Sequence, residues 1–420
     1  MPEPVSFQAP KGTRDLLPPA SGRHRLLIAR FAALADAFGY GQIVSPMFED
    51  LRVFERVGAS TEIVSKEMFE LVSRDDENRL ALRPELTASV CRAFAQHRPL
   101  TPWKVFYEGP QFRYERPQAG RYRQFTQVGA EALGSDDPLL DVEMIALSWR
   151  FYESLGLRQV TLLLNTLGDP EGRPAYFAAL ESYLRSRAEE LSIQSQTTLE
   201  HNPLRVLDSK RPQDEAVIAD APLMIDHLSA AAAEHFTAVR AGLDRLGIAY
   251  EISPRLVRGL DYYLRTTFEV AADALDSAQN AIGGGGRYDG LVEALGGPAT
   301  PGVGFALGVD RTLLACDAEG VFDGPTQRPD VFVVDLTGGA EALALVDELA
   351  SAGIRADRSY DNRSVKAQLK AANRADARLA VIVGDDELDA GTVQVKDLES
   401  GDQRAMARAQ LLADIKSRLR

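Results

Sequence analysis

The chain has 420 residues, of which 45% are hydrophobic and 26% charged, with a formal net charge of −14 at pH 7. That length suits two or three domains, each with its own core, and the ordinary apolar content excludes a disordered chain. The acidic balance excludes a general basic coat for nucleic acid, so any RNA would have to be met by a local patch.

The N-terminal stretch MPEPVSFQAPKGTRDLLPP lacks the apolar core of a signal peptide, and no apolar run approaches a membrane span. The sequence therefore reads as cytoplasmic, with no membrane partner. Cys91 and Cys316 lack CxxC spacing, and the five histidines do not cluster with them, so a structural zinc site is not expected and both thiols read as packed groups in a reducing compartment. Leu27, Phe31, Leu34 and Phe38 recur at helical spacing and predict an amphipathic helix over 21–38. GQIVSPMFED reads as one strand interrupted by Pro46, which belongs at a sheet edge or a subunit interface. LAL then predicts a short strand, and Arg83-Pro84-Glu85-Leu86-Thr87 a helix start with Glu85 in its first turn.

Val105 to Gly134 carries two alternating runs around a Pro/Gly break, which predicts an antiparallel strand pair. Period two puts Tyr107, Gly109, Gln111 and Arg113 on one face, and Arg121, Arg123, Phe125, Gln127, Gly129 and Glu131 on one face of the second strand. Such a face reads either as a solvated outer surface or as the bed of a polar ligand. A helix over 141–155 and the strand VTLLLNTLG follow. Residues 169–250 turn helical and read as an insertion between two parts of one core, 1–168 and 251–325. From 330 to 420 a strand, helix, strand pattern predicts a separate α/β domain.

Gly283 to Gly286 and Gly302-Val303-Gly304 match neither GxxxxGK[ST] nor GxGxxG. The four glycines read as a tight turn or as bare backbone on which a flat base can lie. Without a phosphate loop, fixed guanidiniums would have to hold phosphates, and Arg113 on a strand, Arg258 opening a strand and Arg311 ending an apolar run are the candidates. Arg363, Lys366, Lys370 and Arg374 recur at spacings of three and four, a positive row on one helix face.

FRYERPQAGRYRQFTQ with Glu131, LVRGLDYY, GGGGRYDGL and GVGFALGVDR resemble the bacterial histidyl-tRNA synthetase family of class II aminoacyl-tRNA synthetases, supported by KGTRDLLP, LRPELT and NPLRVLDSK. The resemblance spans nearly the whole chain. It implies an α+β catalytic core with a mainly antiparallel sheet, a helical insertion, a C-terminal α/β anticodon-binding domain and a homodimer. It implies histidine and ATP with Mg²⁺ as substrates and tRNA(His) as partner. By motif position it puts Arg113 and Arg258 in the chemical step, Arg311, Gly304 and Gly308 with Arg113 at ATP, and Glu85, Thr87, Gln127, Glu131, Arg258, Tyr262, Tyr263 and Tyr288 at histidine. Arg116 and Gln118 are expected at the tRNA acceptor end, with Arg363, Lys366 and Lys370 on the tRNA elsewhere. Ala119 stands where the family's bacterial members usually carry lysine, which removes one cation near the acceptor. A non-catalytic histidine-binding paralogue that regulates ATP phosphoribosyltransferase is the alternative, and such proteins typically lack the Arg258 equivalent and the last domain. Another class II specificity is the third reading, and it should not share RGLDYY together with Glu131.

Overall fold

Backbone pairing follows the period-two pattern. The strand Trp103–Phe112 runs antiparallel to Gln124–Leu133 with Tyr107 opposite Gly129, Gly109 opposite Gln127 and Gln111 opposite Phe125, so the polar face of the sequence reading is one continuous surface. Arg113, Arg121 and Arg123 lie beyond the strand ends, although the Arg113 N–H still donates to the Arg123 carbonyl at 3.0 Å. The computed structural model describes residues 7–58, 62–72, 79–259, 262–275, 280–325, 328–361 and 363–419. These fall into two units, Met1–Gly324 and Pro325–Arg420.

In the first unit an eight-stranded sheet has the order Gly41–Gln42, Trp103–Phe112, Gln124–Leu133, Gly302–Gly308, Ala281–Arg287, Leu264–Ala272, Val160–Thr166, Glu251–Ile252. Only the two short outer strands pair parallel; every inner pairing is antiparallel. GQIVSPMFED is two strands rather than one. Gly41–Gln42 edges this sheet, while Phe48–Asp50 joins a separate three-stranded sheet with Leu80–Leu82 and Phe69–Leu71, the chain switching sheets at Pro46.

Gly283 to Gly286 form no turn. They lie inside the strand Ala281–Arg287, where a Cβ on Gly285 would stand 2.1 Å from the Gly304 carbonyl oxygen and one on Gly286 2.4 Å from that of Thr266. Flanking strands on both sides thus require bare backbone.

Helices Ala20–Ala37, Pro138–Ser154 and Val309–Glu319 contribute to the main core, where Phe31 meets Phe106, Phe151 and Phe305 edge to face. Helix Ala230–Arg245 adds Phe236, Val239 and Leu243 to the same core. The helices Arg173–Ser186, Ile193–His201, Pro203–Val206 and Pro212–Ala219 instead close a cluster of their own around Leu180, Leu184, Val206 and Val217. Residues 169–250 therefore feed two cores. Cys91 and Cys316 are free and buried, and burial raises both thiols above their ordinary range.

The second unit is a five-stranded sheet in the order Ala356–Arg358, Val331–Asp335, Leu379–Val383, Thr392–Asp397, Gln403–Ala407, the first three parallel. The last strand, QRAMA, has no apolar alternation to announce it. Among the described residues no single helix is long and apolar enough to cross a membrane.

A buried charge network joins sheet to helices. The Arg287 side chain is fully buried and donates to the Asp141 carboxylate through Nε and Nη2, and to the Ser135 carbonyl at 2.9 Å. His235 Nε2 stands 3.3 Å from the same carboxylate. Burial would raise the Asp141 pKa, but His235 and Arg287 outweigh it and hold the group below the usual carboxylate range. Removing one member leaves a buried charge unpaired. We expect Asp141→Ala to cost about 3–5 kcal/mol, read as a shift of the urea midpoint. Because the folded value is depressed, the stabilisation is present above the ordinary Asp range and disappears as pH falls through the depressed value; the acid loss of the Ala variant should lack this portion.

Candidate active site

The site grows from one helix start and one strand. Helix Thr87–His97 begins after Leu86, so Glu85 precedes its first turn, and the Glu85 carboxylate accepts from the Thr87 N–H at 2.6 Å and the Ala88 N–H at 2.9 Å. Those are free first-turn donors, and the carboxylate caps them. Beneath them the strand Gln124–Leu133 presents Glu131, which is fully buried. Glu131 accepts from Thr87 Oγ1 at 2.7 Å and Tyr107 OH at 3.2 Å through Oε1, and from Tyr288 OH through Oε2. Burial pushes its pKa to about 8 even against these three donors, with the charge of Glu85 adding to the rise. The group holds a proton at neutral pH.

Gly304, expected at the nucleotide, sits under this carboxyl: a Cβ there would lie 1.5 Å from Glu131 Oε2. Gly308 does face the open cavity. Tyr107, which shares the strand face with Glu131, is a partner that the face assignment contained but left without a role. Gly304→Ala should displace Glu131, costing about 1–3 kcal/mol of stability.

Above this floor a cavity of about 330 Å³ opens. Arg113 donates through Nε to the Pro84 carbonyl at 2.9 Å and lies 5.2 Å over the Phe125 ring. Arg311, in the first turn of Val309–Glu319, donates to the carbonyls of Gly120 at 3.2 Å and Ala281 at 2.9 Å. Arg258 stands in the connection before the strand Leu264–Ala272 rather than opening it, and pairs with Glu269. Among the described residues no carboxylate comes within ion-pair distance of Arg113 or Arg311. Burial first, then the charges of Arg121 and Arg113, lower the Arg311 pKa from its usual value. Two buried polar atoms, Gln127 Oε1 and Arg258 Nε, have no hydrogen-bond partner. A site holding two guanidiniums that no carboxylate pairs among the described residues, with unmet donors and acceptors beside them, suits an anionic polar ligand.

Gly284 gives this floor its flatness, since a Cβ there would stand 2.8 Å from Arg258 Cζ. Tyr262 and Tyr263 close one end with ring centroids 4.7 Å apart, and Tyr288 lies 5.8 Å from Tyr262. Four further carboxylates on the wall, Glu115, Asp208, Glu269 and Asp310, escaped the sequence reading; the NPLRVLDSK segment was the available signal for Asp208.

Residues 12–312 match the family model described as Histidyl-tRNA synthetase, and residues 330–418 that of an anticodon binding domain. The chain belongs to the histidyl-tRNA synthetase family. It is 50% identical over 419 residues to the histidine–tRNA ligase of Corynebacterium urealyticum, with 98% of this chain and 97% of that one covered. To the histidine–tRNA ligase of Mycolicibacterium vanbaalenii it is 49% identical, with both chains covered completely. The apo histidyl-tRNA synthetase of S. aureus superposes with a TM-score of 0.83 at 34% identity, covering 98% of this chain and all of the other. The class II synthetase fold expected from the sequence, with its antiparallel core and separate C-terminal domain, is the fold observed.

The remaining positions named from the family motifs are exposed. Arg116 and Gln118 project from the loop between the two central strands, where Gln118 and Arg121 pair across its tip. In the second unit Lys366, Lys370 and Arg374 lie along the exposed side of helix Val365–Arg374, and Arg363 precedes that helix and pairs with Asp361 at 3.4 Å.

Proposed function

We propose that this chain is a histidine–tRNA ligase that activates L-histidine with ATP and then charges tRNA(His). The observation that carries the reading is the pairing of two features at one place: a fully buried, protonatable Glu131 held by Thr87 just beneath the cavity, and three arginines around its opening, two of them without carboxylate partners among the described residues.

The ionised carboxylate of histidine is already the nucleophile, so activation needs no general base. One of its oxygens forms a bond to the α-phosphorus of ATP while the bond to pyrophosphate breaks, giving histidyl-adenylate. Arg113 meets the α-phosphate, Arg258 stabilises the charge gathering at the same phosphorus, and Arg311 holds the γ-phosphate. Preorganised cations act on charge that develops in the transition state and need not reorient. Glu115 and Glu269 line the cavity and would be the carboxylates available to a magnesium ion, which would neutralise phosphate charge when bound. Glu85, Thr87 and Gln127 receive the amino-acid backbone groups. A terminal ribose hydroxyl of tRNA then attacks the histidyl carbonyl carbon, and AMP departs.

Glu131, with Tyr262, Tyr263 and Tyr288 around it, meets the imidazole. A protonated Glu131 and a neutral imidazole share one proton once Glu131 exchanges a hydroxyl partner for a ring nitrogen, an exchange that a side chain lacking ring nitrogens cannot make, a discrimination on the order of 10⁴. The sign of the pH dependence follows. Free imidazole loses its proton near pH ~6.5, and Glu131 loses its own near 8. Histidine affinity should be greatest between those values and fall above about 8, where binding must take up a proton. Titration calorimetry across pH 6–9 should record that fall, and Glu131→Gln should abolish the upper inflection.

Exposed Val44, Met47 and Phe48 beside Pro46 support a homodimer through this edge, which sedimentation of the purified chain tests. A cytoplasmic setting suits a tRNA substrate. Lys366 and Lys370 support the second unit as an RNA-binding surface.

The deciding experiment is pyrophosphate exchange with each amino acid, run beside tRNA charging. Exchange should require histidine, and Arg258→Ala should lower its kcat by about 10²–10³. Lys366→Ala with Lys370→Ala should leave exchange intact and weaken charging. Histidine binding without exchange would instead favour the regulatory paralogue, although the presence of Arg258 and of a folded C-terminal unit argues against it.

A further inference from the structure

The catalytic Arg258 lies on a segment with open space on both sides. Toward the floor is the cavity already described; behind it is a second one of about 340 Å³, lined by Phe177, His201 and Pro203 on one side and by Val257, Arg258 and Tyr263 on the other. Packing alone does not fix such a partition. Two hydrogen bonds from the helical cluster do hold it. Arg205 Nη2 donates to the Gly259 carbonyl at 2.7 Å, and Arg173 Nη1 donates to the Tyr263 carbonyl at 2.9 Å. One bond falls immediately after Arg258, the other at Tyr263 beside Tyr262.

Both donors are themselves held firmly. Arg205 sits on the one-turn helix Pro203–Val206, whose first turn is capped by Asn202 Oδ1 accepting from the Leu204 N–H at 3.1 Å and whose Val206 is fully buried. Just beyond it Ser209 Oγ donates at 2.6 Å to the buried Asp214, which also accepts from Ser192 Oγ at 2.9 Å and from Ser195 Oγ. Burial would raise the Asp214 pKa, yet these donors hold it below the usual carboxylate range, so the anchor stays ionised. Arg173 opens helix Arg173–Ser186 with its guanidinium 5.3 Å over the Phe177 ring, and Asp169 ties that turn by accepting from the Gly172 N–H at 2.9 Å and from Ser229 Oγ at 2.6 Å.

We propose that Arg173 and Arg205 are positioning residues: a clamp through which the helical cluster sets the placement of Arg258, and so the rate of histidine activation. Neither touches substrate. Their guanidiniums grip main-chain carbonyls, so the contact is indifferent to the segment's own side chains and acts on where its backbone stands. A displacement of about 1 Å at a reacting group lowers rate by roughly a hundredfold, and the clamp suppresses that displacement. The inference rests on the proposed role of Arg258 in activation.

The test is histidine-dependent pyrophosphate exchange with the full chain. We expect Arg205→Ala and Arg173→Ala each to lower kcat by about tenfold to a hundredfold, the worth of one charge-assisted hydrogen bond. The ATP KM should stay within about threefold and the melting temperature nearly unchanged. Arg205→Lys, which retains one donor at the same carbonyl, should recover part of the lost rate. Wild-type kcat in both Ala variants would overturn the clamp, and so would a loss that tracks a fall in melting temperature and is not recovered by lysine. Absence of exchange in the unmodified chain would overturn the proposed function instead, so the two failures are separable.

Discussion

A carboxyl group kept away from water in the middle of a sheet is the constraint from which the rest of this site follows. Glu131 has no solvent contact, so every lone pair must find a donor inside the protein or be lost at a cost of about 1–3 kcal/mol each. Thr87, Tyr107 and Tyr288 supply the donors, from a helix start and two strands. Burial pushes the Tyr288 phenol well above its ordinary range, which keeps it a donor at any working pH. The space itself comes from Gly304 on the neighbouring strand. Tyr288 follows directly on Arg287, whose ion pair with Asp141 ties the strand end to helix Pro138–Ser154. A polar line thus runs from the cavity floor through the sheet into the helical layer.

Arginines in this chain divide into two kinds according to what they hold. Arg287 is fully buried and fully paired, its charge cancelled by Asp141, and it has nothing left for a ligand. Arg113 and Arg311 are fixed instead by backbone carbonyls, which orient a guanidinium without neutralising it. Two uncancelled cations close enough to lower the Arg311 pKa are unfavourable in the empty site. On the proposed function, the triphosphate would relieve that repulsion. The difference explains how a chain of net charge −14 keeps two guanidiniums unneutralised in a cavity whose wall also carries carboxylates: local pairing, not the total, sets the potential felt by the ligand.

The period-two reading of Val105 to Gly134 was sufficient to put Tyr107, Gln127 and Glu131 on one surface, because alternation is a local property of strands and the hairpin closes within thirty residues. Arg113, Arg258 and Arg311 could be singled out by residue type, but not their anchors, which are carbonyls contributed by distant segments. Gly283 to Gly286 were ambiguous between turn and strand because the reason for glycine lies in the facing strands, at Gly304 and Thr266, and no local pattern carries it. The Arg287–Asp141–His235 network escaped notice for the same reason: its members are separated by 146 and 94 residues, and each alone resembles a surface charge. Of the residues that the motif resemblance assigned to histidine, Glu85, Thr87, Gln127, Arg258, Tyr262 and Tyr263 line one cavity and Glu131 and Tyr288 lie buried beneath it, while Gly304, assigned to the nucleotide, packs under Glu131.

Selection and chemistry rest on parts of different stiffness. Glu131 and Gly304 belong to inner strands whose ladders are satisfied on both sides, and Tyr288 directly follows a third, so the depth and shape of the pocket are set by the sheet. Arg258 belongs to a segment held by a few hydrogen bonds between two cavities. Pocket geometry should therefore be insensitive to the helical cluster, while the placement of Arg258, the cation proposed to stabilise the transition state, depends on it. Binding energy fixed in the floor favours substrate and transition state alike, whereas a well-placed Arg258 favours the transition state alone. A synthetase built this way can hold histidine with the sheet and leave the rate of its activation to elements outside the sheet.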